Sequence, residues 1–238
     1  MDNFKKTNLT LNKLNLIFAI IFGILVLIFN IFPELDIKIT SFFYSTERDF
    51  VYKSNFIALI IYEIIPTIST LYIIALGFFA CYEFLKKRGK IDKALLYFSI
   101  LIIVITGSGI IVNSILKQYI GRARPDQVIE FGGDKRFTKV MENSDQCDKN
   151  CSFSCGHAAA AFNFITLPFL LPRKLKIPAY TVFLSFGIFS GIARVIQGRH
   201  FASDVFASGF IVLGMSYLIY KYLYLYITSF LKKHPNLK

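Results

Sequence analysis

The sequence predicts an all-α, polytopic membrane protein built as a bundle of six transmembrane helices. Of its 238 residues, 55% are hydrophobic and only 18% are charged, whereas soluble domains usually carry about a quarter charged residues. Several apolar runs approach the roughly 20 residues that a helix needs to cross a bilayer. Backbone groups inside lipid must bond to one another, so these runs are expected to be helices.

The chain shows no internal repeat and no linker, so residues 1–238 are expected to form a single transmembrane domain. The fourth apolar run is short and the sixth is long. The six predicted helices are Leu14–Phe32, Thr67–Leu85, Ala94–Leu116, Ala158–Leu171, Ile177–Ile196 and Val205–Phe230.

The apolar segment Asn55–Ile65 precedes the second run and stops at Pro66. Since proline ends or kinks a helix, this segment is either a short helix lying in the membrane interface or an extension of the second helix. It could guide a lipid toward the site or serve only in packing.

The net charge of +12 could indicate nucleic acid or acidic lipid as a partner. Its distribution favours membrane topology, since a six-helix count puts all four basic clusters on one side, which is then cytoplasmic together with both termini. We therefore expect no nucleic-acid partner. The basic residues are Lys5, Lys6, Lys13, Lys86, Lys87, Arg88, Lys90, Lys93, Arg173, Lys174, Lys176, Lys232, Lys233 and Lys238.

Three polar clusters map to the opposite side of the membrane. The first holds Lys117 and Arg124, seven residues apart and followed by Pro125. On a helix this spacing gives a shared face, and the proline would end the helix just after Arg124. Such cations could also merely snorkel toward lipid phosphates. Arg122 lies off this face, so we expect it at the surface or against a head group.

The second cluster is Gly156 and His157 at the start of the fourth predicted helix. A helix amino terminus offers free N–H groups and a positive dipole end, both suited to an anion, and glycine lets an anion approach the backbone. A single histidine at a membrane interface is more often structural, but a second histidine falls on the same side.

The third cluster holds Arg194, His200 and Asp204. His200 and Asp204 are four residues apart at the start of the last helix. A carboxylate in that position can hold an imidazole N–H and leave the other ring nitrogen free as a nucleophile. Arg194 lies across a short turn containing Gly198. Ionisable groups in a membrane protein are costly to bury and are functional by default.

Together the clusters resemble the three-part signature of the type 2 phosphatidic acid phosphatase family: Lys-x6-Arg-Pro, Pro-Ser-Gly-His and Ser-Arg-x5-His-x3-Asp. The match spans residues 117–204. The resemblance implies a membrane lipid phosphatase that needs no metal, with His200 as nucleophile, His157 as acid and Asp204 as the partner of His200. It also implies a phosphate site formed by Lys117, Arg124, Arg194, Cys155 and Gly156.

The chain departs from the signature at three positions. Cys155 stands where the family usually has serine, Ser154 where it has proline, and Ala193 where it has the serine before Arg194. A thiol donates a weaker hydrogen bond than a hydroxyl, so the Gly156 backbone or Ser154 would carry more of the phosphate binding.

Three cysteines, Cys147, Cys151 and Cys155, repeat every fourth residue and end beside His157. Cysteine and histidine at such spacing can bind zinc. A disulfide between Cys147 and Cys151 is the other interpretation, and it suits the oxidising outer side of a bacterial inner membrane.

Among relatives, the run Cys151–His157 resembles bacterial lipid A 1-phosphatases, which implies a bacterial inner membrane with the site facing the periplasm. Phosphatidylglycerophosphate, phosphatidic acid and undecaprenyl diphosphate are alternative substrates, because the signature is shared. A transporter or flippase would explain buried cations but not the pairing of His200 with Asp204. Vanadium-dependent haloperoxidases resemble the site, but they are soluble.

Overall fold

The computed structural model describes residues 2–47, 49–86 and 91–233. A two-stranded antiparallel hairpin, β1 (Tyr44–Ser45) and β2 (Asp49–Phe50), lies between the first helices. The helices are α1 (Asp2–Ile31), α2 (Glu34–Ser41), α3 (Phe56–Leu85), α4 (Ile91–Tyr119), α5 (Gly156–Leu170), α6 (Arg173–Ile196) and α7 (Ala202–Lys233).

The predicted all-α membrane fold is confirmed. Within the described residues five helices, α1, α3, α4, α6 and α7, are long and apolar enough to cross a membrane, and the fourth predicted helix is the shorter α5. The second half of α5, Asn163–Leu170, is wound as a tighter 3₁₀ helix and contains Pro168. A 3₁₀ helix rises faster per residue than an α-helix, so this winding lengthens a segment that is short in sequence.

Helix α3 runs unbroken through Pro66. Its first turn is capped by the side chain of Asn55, whose Oδ1 accepts hydrogen bonds from the backbone N–H groups of Ile57 (3.1 Å) and Ala58 (3.2 Å). This is the usual role of asparagine before a helix. Of the two interpretations of the segment Asn55–Ile65, the extension of the second transmembrane helix is therefore correct.

The centre of the bundle is the contact of α1 with α7. Phe22 of α1 packs edge-on against Phe162 of α5 and Phe206 of α7. Deeper along α1, the buried side chain of Asn15 donates to Ser216 Oγ (2.8 Å) and accepts from Tyr180 Oη (2.9 Å). These bonds satisfy polar groups that would be costly to bury alone.

Lys176, which was counted among the basic residues that set topology, is not an exposed charge. Its side chain is fully buried and donates to Asn8 Oδ1 and to the Phe169 carbonyl. The charges expected at Lys87, Arg88, Lys90 and Lys238 lie outside the described residues, as does the side chain of Lys5.

At the other end of the bundle the long connections pack into a separate outer layer. Phe50 of the hairpin lies against Gly198, which has φ +68° and whose Cα has no room for a methyl group beside the Phe50 ring. Hydrophobic side chains from all three connections form the small core of this layer, which consists of Phe50, Ala123, Val128, Phe131 and Phe201. The three polar clusters of the sequence meet beneath it.

Candidate active site

Helix α4 ends at Tyr119, before the second cation of the first cluster. Gly121 has φ +65°, and a methyl group at this position would collide with the Ser144 carbonyl oxygen. Glycine is favoured in this left-handed conformation, which commonly ends helices. Arg124 is extended, with φ −82° and ψ 158°. The prediction that Lys117 and Arg124 share one helix face is therefore wrong.

The two cations nevertheless meet, because both bind Asn150. Lys117 Nζ donates to Asn150 Oδ1 (3.1 Å), and Arg124 donates to the Asn150 carbonyl from Nε (3.2 Å) and from Nη2 (2.7 Å). Asn150 belongs to a loop closed by a disulfide between Cys147 and Cys151. The disulfide interpretation of these two cysteines is thus correct, and Cys155 is a free, buried thiol.

Gly156 and His157 open helix α5, as predicted. A methyl group at Gly156 would collide with Asn113 Oδ1 and would lie 3.4 Å from Lys117 Nζ. The Gly156 backbone is therefore adjacent to the Lys117 ammonium group. The His157 ring stacks on Tyr62 of α3 with 4.7 Å between ring centroids.

Tyr62 also contacts the third cation. The Arg194 guanidinium lies 4.7 Å from the centroid of the Tyr62 ring, and Arg194 Nη1 donates to Gln197 Oε1 at 2.5 Å. Arg194 is 5% exposed, whereas Tyr62 is 40% exposed. Tyr62 therefore forms a side wall between the site and the surface of the bundle.

His200 lies at the floor of the site and is oriented mainly by a backbone group. Its Nδ1 is 2.7 Å from the Ser152 carbonyl, and 3.6 Å from Asp204 Oδ2. A carbonyl can only accept, so the proton is on Nδ1 and the lone pair of Nε2 remains available. Asp204 contributes its charge at ion-pair distance, rather than the direct hydrogen bond that the sequence suggested.

The carboxylate of Asp204 is occupied by other donors. Arg122 Nη1 donates to Oδ1 (2.6 Å), while Ser152 Oγ (2.6 Å) and the Phe201 N–H (2.9 Å) donate to Oδ2. The carboxylate is fully buried and accepts from three donors. Because Ser152 is one of them, Asp204 links the segment that precedes α5 to the start of α7.

Arg122 was expected at the surface or against a head group, and this expectation is wrong. The residue is completely buried, its guanidinium lies 4.3 Å from the centroid of the Phe201 ring, and it binds a second carboxylate through Nη2 to Asp36 Oδ2 (2.8 Å). Burial opposes its charge, but Asp204 and Asp36 outweigh burial and hold the pKa of Arg122 above its ordinary value.

Asp36 itself comes from the short helix α2, far from the signature in sequence. Besides Arg122 it accepts the Ser203 backbone N–H (3.0 Å) and the Ser203 hydroxyl. The Ser203 hydroxyl in turn accepts Arg122 Nη1 at 2.8 Å. Asp36, Arg122, Ser203 and Asp204 thus form one buried ionic network, which we call the Arg122 network.

The predicted site residues therefore converge. Lys117, Arg124 and Arg194 each interact electrostatically with Cys155. Burial opposes protonation of His200, but Cys155 and Asp204 outweigh it and raise the pKa of the imidazole above its ordinary value.

Three polar atoms at this site are buried without a partner among the described residues. They are Ser154 Oγ, His157 Nε2 and Arg194 Nε. Buried polar atoms are normally hydrogen-bonded, and an exception requires a reason. Beside three cations, the natural reason is an anion with several acceptor oxygens. Among the described residues no group of three His, Cys, Asp or Glu side chains could hold a metal ion.

Sequence reasoning missed several residues that build the site. Ser152, Asn150 and Tyr62 act through contacts with no regular spacing, and Asp36 lies outside the signature altogether. Gly121 is the one signal that could have corrected the account of Arg122, since a glycine there ends the helix and turns the next residue inward.

The site is lined by cations, contains a histidine whose Nδ1 is held by a backbone carbonyl, and lies at the end of a membrane bundle. These features define a phosphatase of the membrane. The comparisons with known proteins agree. The chain belongs to the PAP2 superfamily, whose family model matches residues 93–227. Individual relatives and one solved structure are similar to the chain over most or part of its length.

The chain is 33% identical to the lipid A 4'-phosphatase of Francisella tularensis subsp. novicida (strain U112) over 214 residues, which cover 87% of this chain and 96% of the relative. It is 32% identical over 102 residues to the lipid A 4'-phosphatase of Rhizobium leguminosarum, covering 43% of this chain and 44% of that protein.

Among solved structures, the crystal structure of a transmembrane PAP2-type phosphatidylglycerolphosphate phosphatase from Bacillus subtilis is similar. The match has a TM-score of 0.52 at 19% identity and covers 87% of this chain and 94% of the other. At this identity the likeness supports the membrane fold alone.

Removing Arg122 is expected to destabilise the protein. Arg122→Ala leaves two buried carboxylates unpaired, and breaking a buried ion pair from one side costs about 3–5 kcal/mol. We expect a lower thermal unfolding midpoint in detergent and loss of phosphatase activity. Arg136→Ala is the matched control, because Arg136 is exposed in the same connection. Equal unfolding midpoints for the two variants would contradict the structural role of Arg122.

The acid limb of the pH profile is expected to depend on Asp204. In the nucleophile role that the family signature implies, His200 would attack only when neutral, so kcat/KM should fall as pH drops through the imidazole pKa, which is raised above its ordinary value. Asp204→Asn removes a negative charge 3.6 Å from Nδ1, and the limb should move to lower pH while the maximal rate falls. A pH series of kcat/KM tests this, and a limb that stays in place would show that Asp204 does not act on His200.

Proposed function

We propose that the protein hydrolyses a phosphate monoester of lipid A, removing the 4'-phosphate. The convergence of Lys117, Arg124 and Arg194 at Cys155 carries the phosphatase part of the proposal. The unpartnered His157 Nε2 and Arg194 Nε support it. The choice of lipid follows from the relatives, which include one lipid A 4'-phosphatase matched over nearly its full length. The chain would act as one transmembrane phosphatase domain, with residues 117–204 carrying the signature.

The proposed reaction has two steps. His200 Nε2 attacks phosphorus and the bond to the lipid oxygen breaks, giving a phosphohistidine. The Ser152 carbonyl keeps the Nδ1 proton in place, and the charge of Asp204 stabilises the cationic ring. Water then attacks the phosphohistidine and releases inorganic phosphate and free His200.

His157 supplies and removes the proton. In the first step it protonates the leaving sugar oxygen, and in the second it takes a proton from the attacking water. Its buried, unpartnered Nε2 is the atom available for this exchange. Stacking on Tyr62 fixes the ring plane, so the acid is oriented by a residue outside the signature.

Lys117, Arg124 and Arg194 bind the equatorial phosphate oxygens. Phosphoryl transfer relies on positioning and charge stabilisation, which fixed cations provide. The Cys155 thiol and the Gly156 backbone N–H lie at the same wall, at the amino terminus of α5, where an anion is favoured.

The proposed location is a bacterial inner membrane, with both termini in the cytoplasm and the site facing the periplasm. Basic residues cluster at the bundle end opposite the site, as positive-inside topology requires. The disulfide Cys147–Cys151 lies on the site side and is compatible with an oxidising compartment.

The position of the cleaved phosphate is tested with lipid A preparations that carry only the 4'-phosphate or only the 1-phosphate. Purified protein in detergent should release phosphate from the first and leave the second intact, as read by thin-layer chromatography and mass spectrometry. Loss of the 1-phosphate would restore the expectation from sequence. Hydrolysis of phosphatidylglycerophosphate with both lipid A forms unchanged would redirect the proposal to that substrate.

Two histidine substitutions test the mechanism. His200→Ala should abolish phosphate release, and His157→Ala should lower kcat by about 10²–10⁴-fold, the usual contribution of a general acid. His234→Ala, at the third histidine of the chain, is the matched control and should retain activity. Ordinary turnover by His200→Ala would refute the nucleophile assignment.

Orthovanadate should inhibit competitively with the lipid, because it adopts the five-coordinate geometry that phosphorus passes through during transfer. A dose series at several substrate concentrations measures this. Activity that is indifferent to millimolar vanadate would count against a phosphohistidine route in this pocket.

A further inference from the structure

The residue that joins two of the phosphate-binding cations is not part of the signature. Asn150 uses its side-chain oxygen for Lys117 (3.1 Å) and its main-chain carbonyl for Arg124 (2.7 Å from Nη2). Lys117 and Arg124 repel one another electrostatically. A dipolar acceptor between them offsets this repulsion without adding a charge that would compete with phosphate.

Asn150 can make both contacts because its backbone is held in an unusual conformation. It has φ +53°, in the left-handed region that asparagine tolerates better than most residues. The segment around it is a five-residue ring closed by the disulfide Cys147–Cys151. A cross-link over so short a loop sharply restricts the conformations of the residues inside it.

The disulfide-closed segment is also linked to His200, the proposed nucleophile, through a hydrogen bond. Cys151 is fully buried and directly precedes Ser152, whose carbonyl holds His200 Nδ1 and whose hydroxyl donates to Asp204. The Ser152 N–H in turn donates to the Arg122 carbonyl (2.9 Å). The closed loop therefore contacts the two cations through Asn150, and the residue that directly follows the loop holds the histidine.

We propose that the Cys147–Cys151 ring is a positioning device for phosphate binding, in which Asn150 holds Lys117 and Arg124 at the spacing that a phosphate requires, so that full activity depends on the oxidised disulfide. The proposal rests on the phosphatase function proposed above. Reduction would consume two electrons and two protons from an added dithiol, which is oxidised to its own cyclic disulfide, and would leave two thiols.

The side-chain contact is tested with Asn150→Gly. Glycine accepts φ +53° and keeps the main-chain carbonyl for Arg124, so only the Lys117 contact is lost. We expect kcat/KM for the lipid substrate to fall about tenfold, mainly through KM, because a hydrogen bond to a charged group is lost. Asn150→Asp should reduce activity further, since a carboxylate would occupy the cations. A higher kcat/KM for Asn150→Gly would show that Asn150 blocks the site, and would overturn the proposal.

The disulfide is tested by reduction with dithiothreitol, its completion verified by mass spectrometry. Wild-type activity should fall about tenfold or more, and reoxidation should restore it. The double variant Cys147→Ser/Cys151→Ser should be as weak as the reduced enzyme and insensitive to dithiothreitol. Cys81→Ser, at an exposed free cysteine on α3, should behave as wild type. Thermal unfolding midpoints identify any variant that has failed to fold.

The outcomes separate the two proposals. An oxidised wild-type protein that releases no phosphate from any lipid would remove the phosphatase function itself. An active wild-type enzyme whose kcat/KM is unchanged after verified reduction would overturn only the role of the ring.

Discussion

The buried charge of Arg122 is the constraint on which the active site depends. It lies between Asp36 and Asp204 with no exposure to solvent, so it ties the connection after α1 and the connection after α4 to the start of α7. Each charged group in this Arg122 network has its ion-pair partner only when all three segments are in place. Since an unpaired buried charge is costly, the network favours one arrangement of the outer layer, and His200 and its Ser152 partner take their positions from it.

The membrane fold could be predicted from the sequence, because hydrocarbon permits few alternatives. The signature also placed His157, His200 and Arg194 at one end of the bundle. What failed was the local account of the first cluster, where Gly121 ends the helix and sends Arg122 inward. The second carboxylate, Asp36, could not be predicted, since nothing in its neighbourhood marks it as a partner of a residue 86 positions away.

Two kinds of residue therefore build the site. Signature residues supply the cationic groups and the imidazole rings of the site, and their identities are readable in the sequence because the family signature specifies them. Ser152 and Asn150 help to place them through main-chain carbonyls, which every residue type supplies, and Tyr62 does so through its ring face. Positioning by backbone groups leaves little trace in residue identity, so the sequence does not reveal it.

The outer layer has its own small hydrophobic core around Phe50, Val128 and Phe131, separate from the large core between the membrane helices. Regions with few shared contacts can open as independent cooperative units. Mild heating or denaturant would then unfold the outer layer while the membrane helices stay inserted. The protein would remain helical but would be inactive. Helical content alone would thus overestimate the fraction of competent enzyme in a detergent preparation.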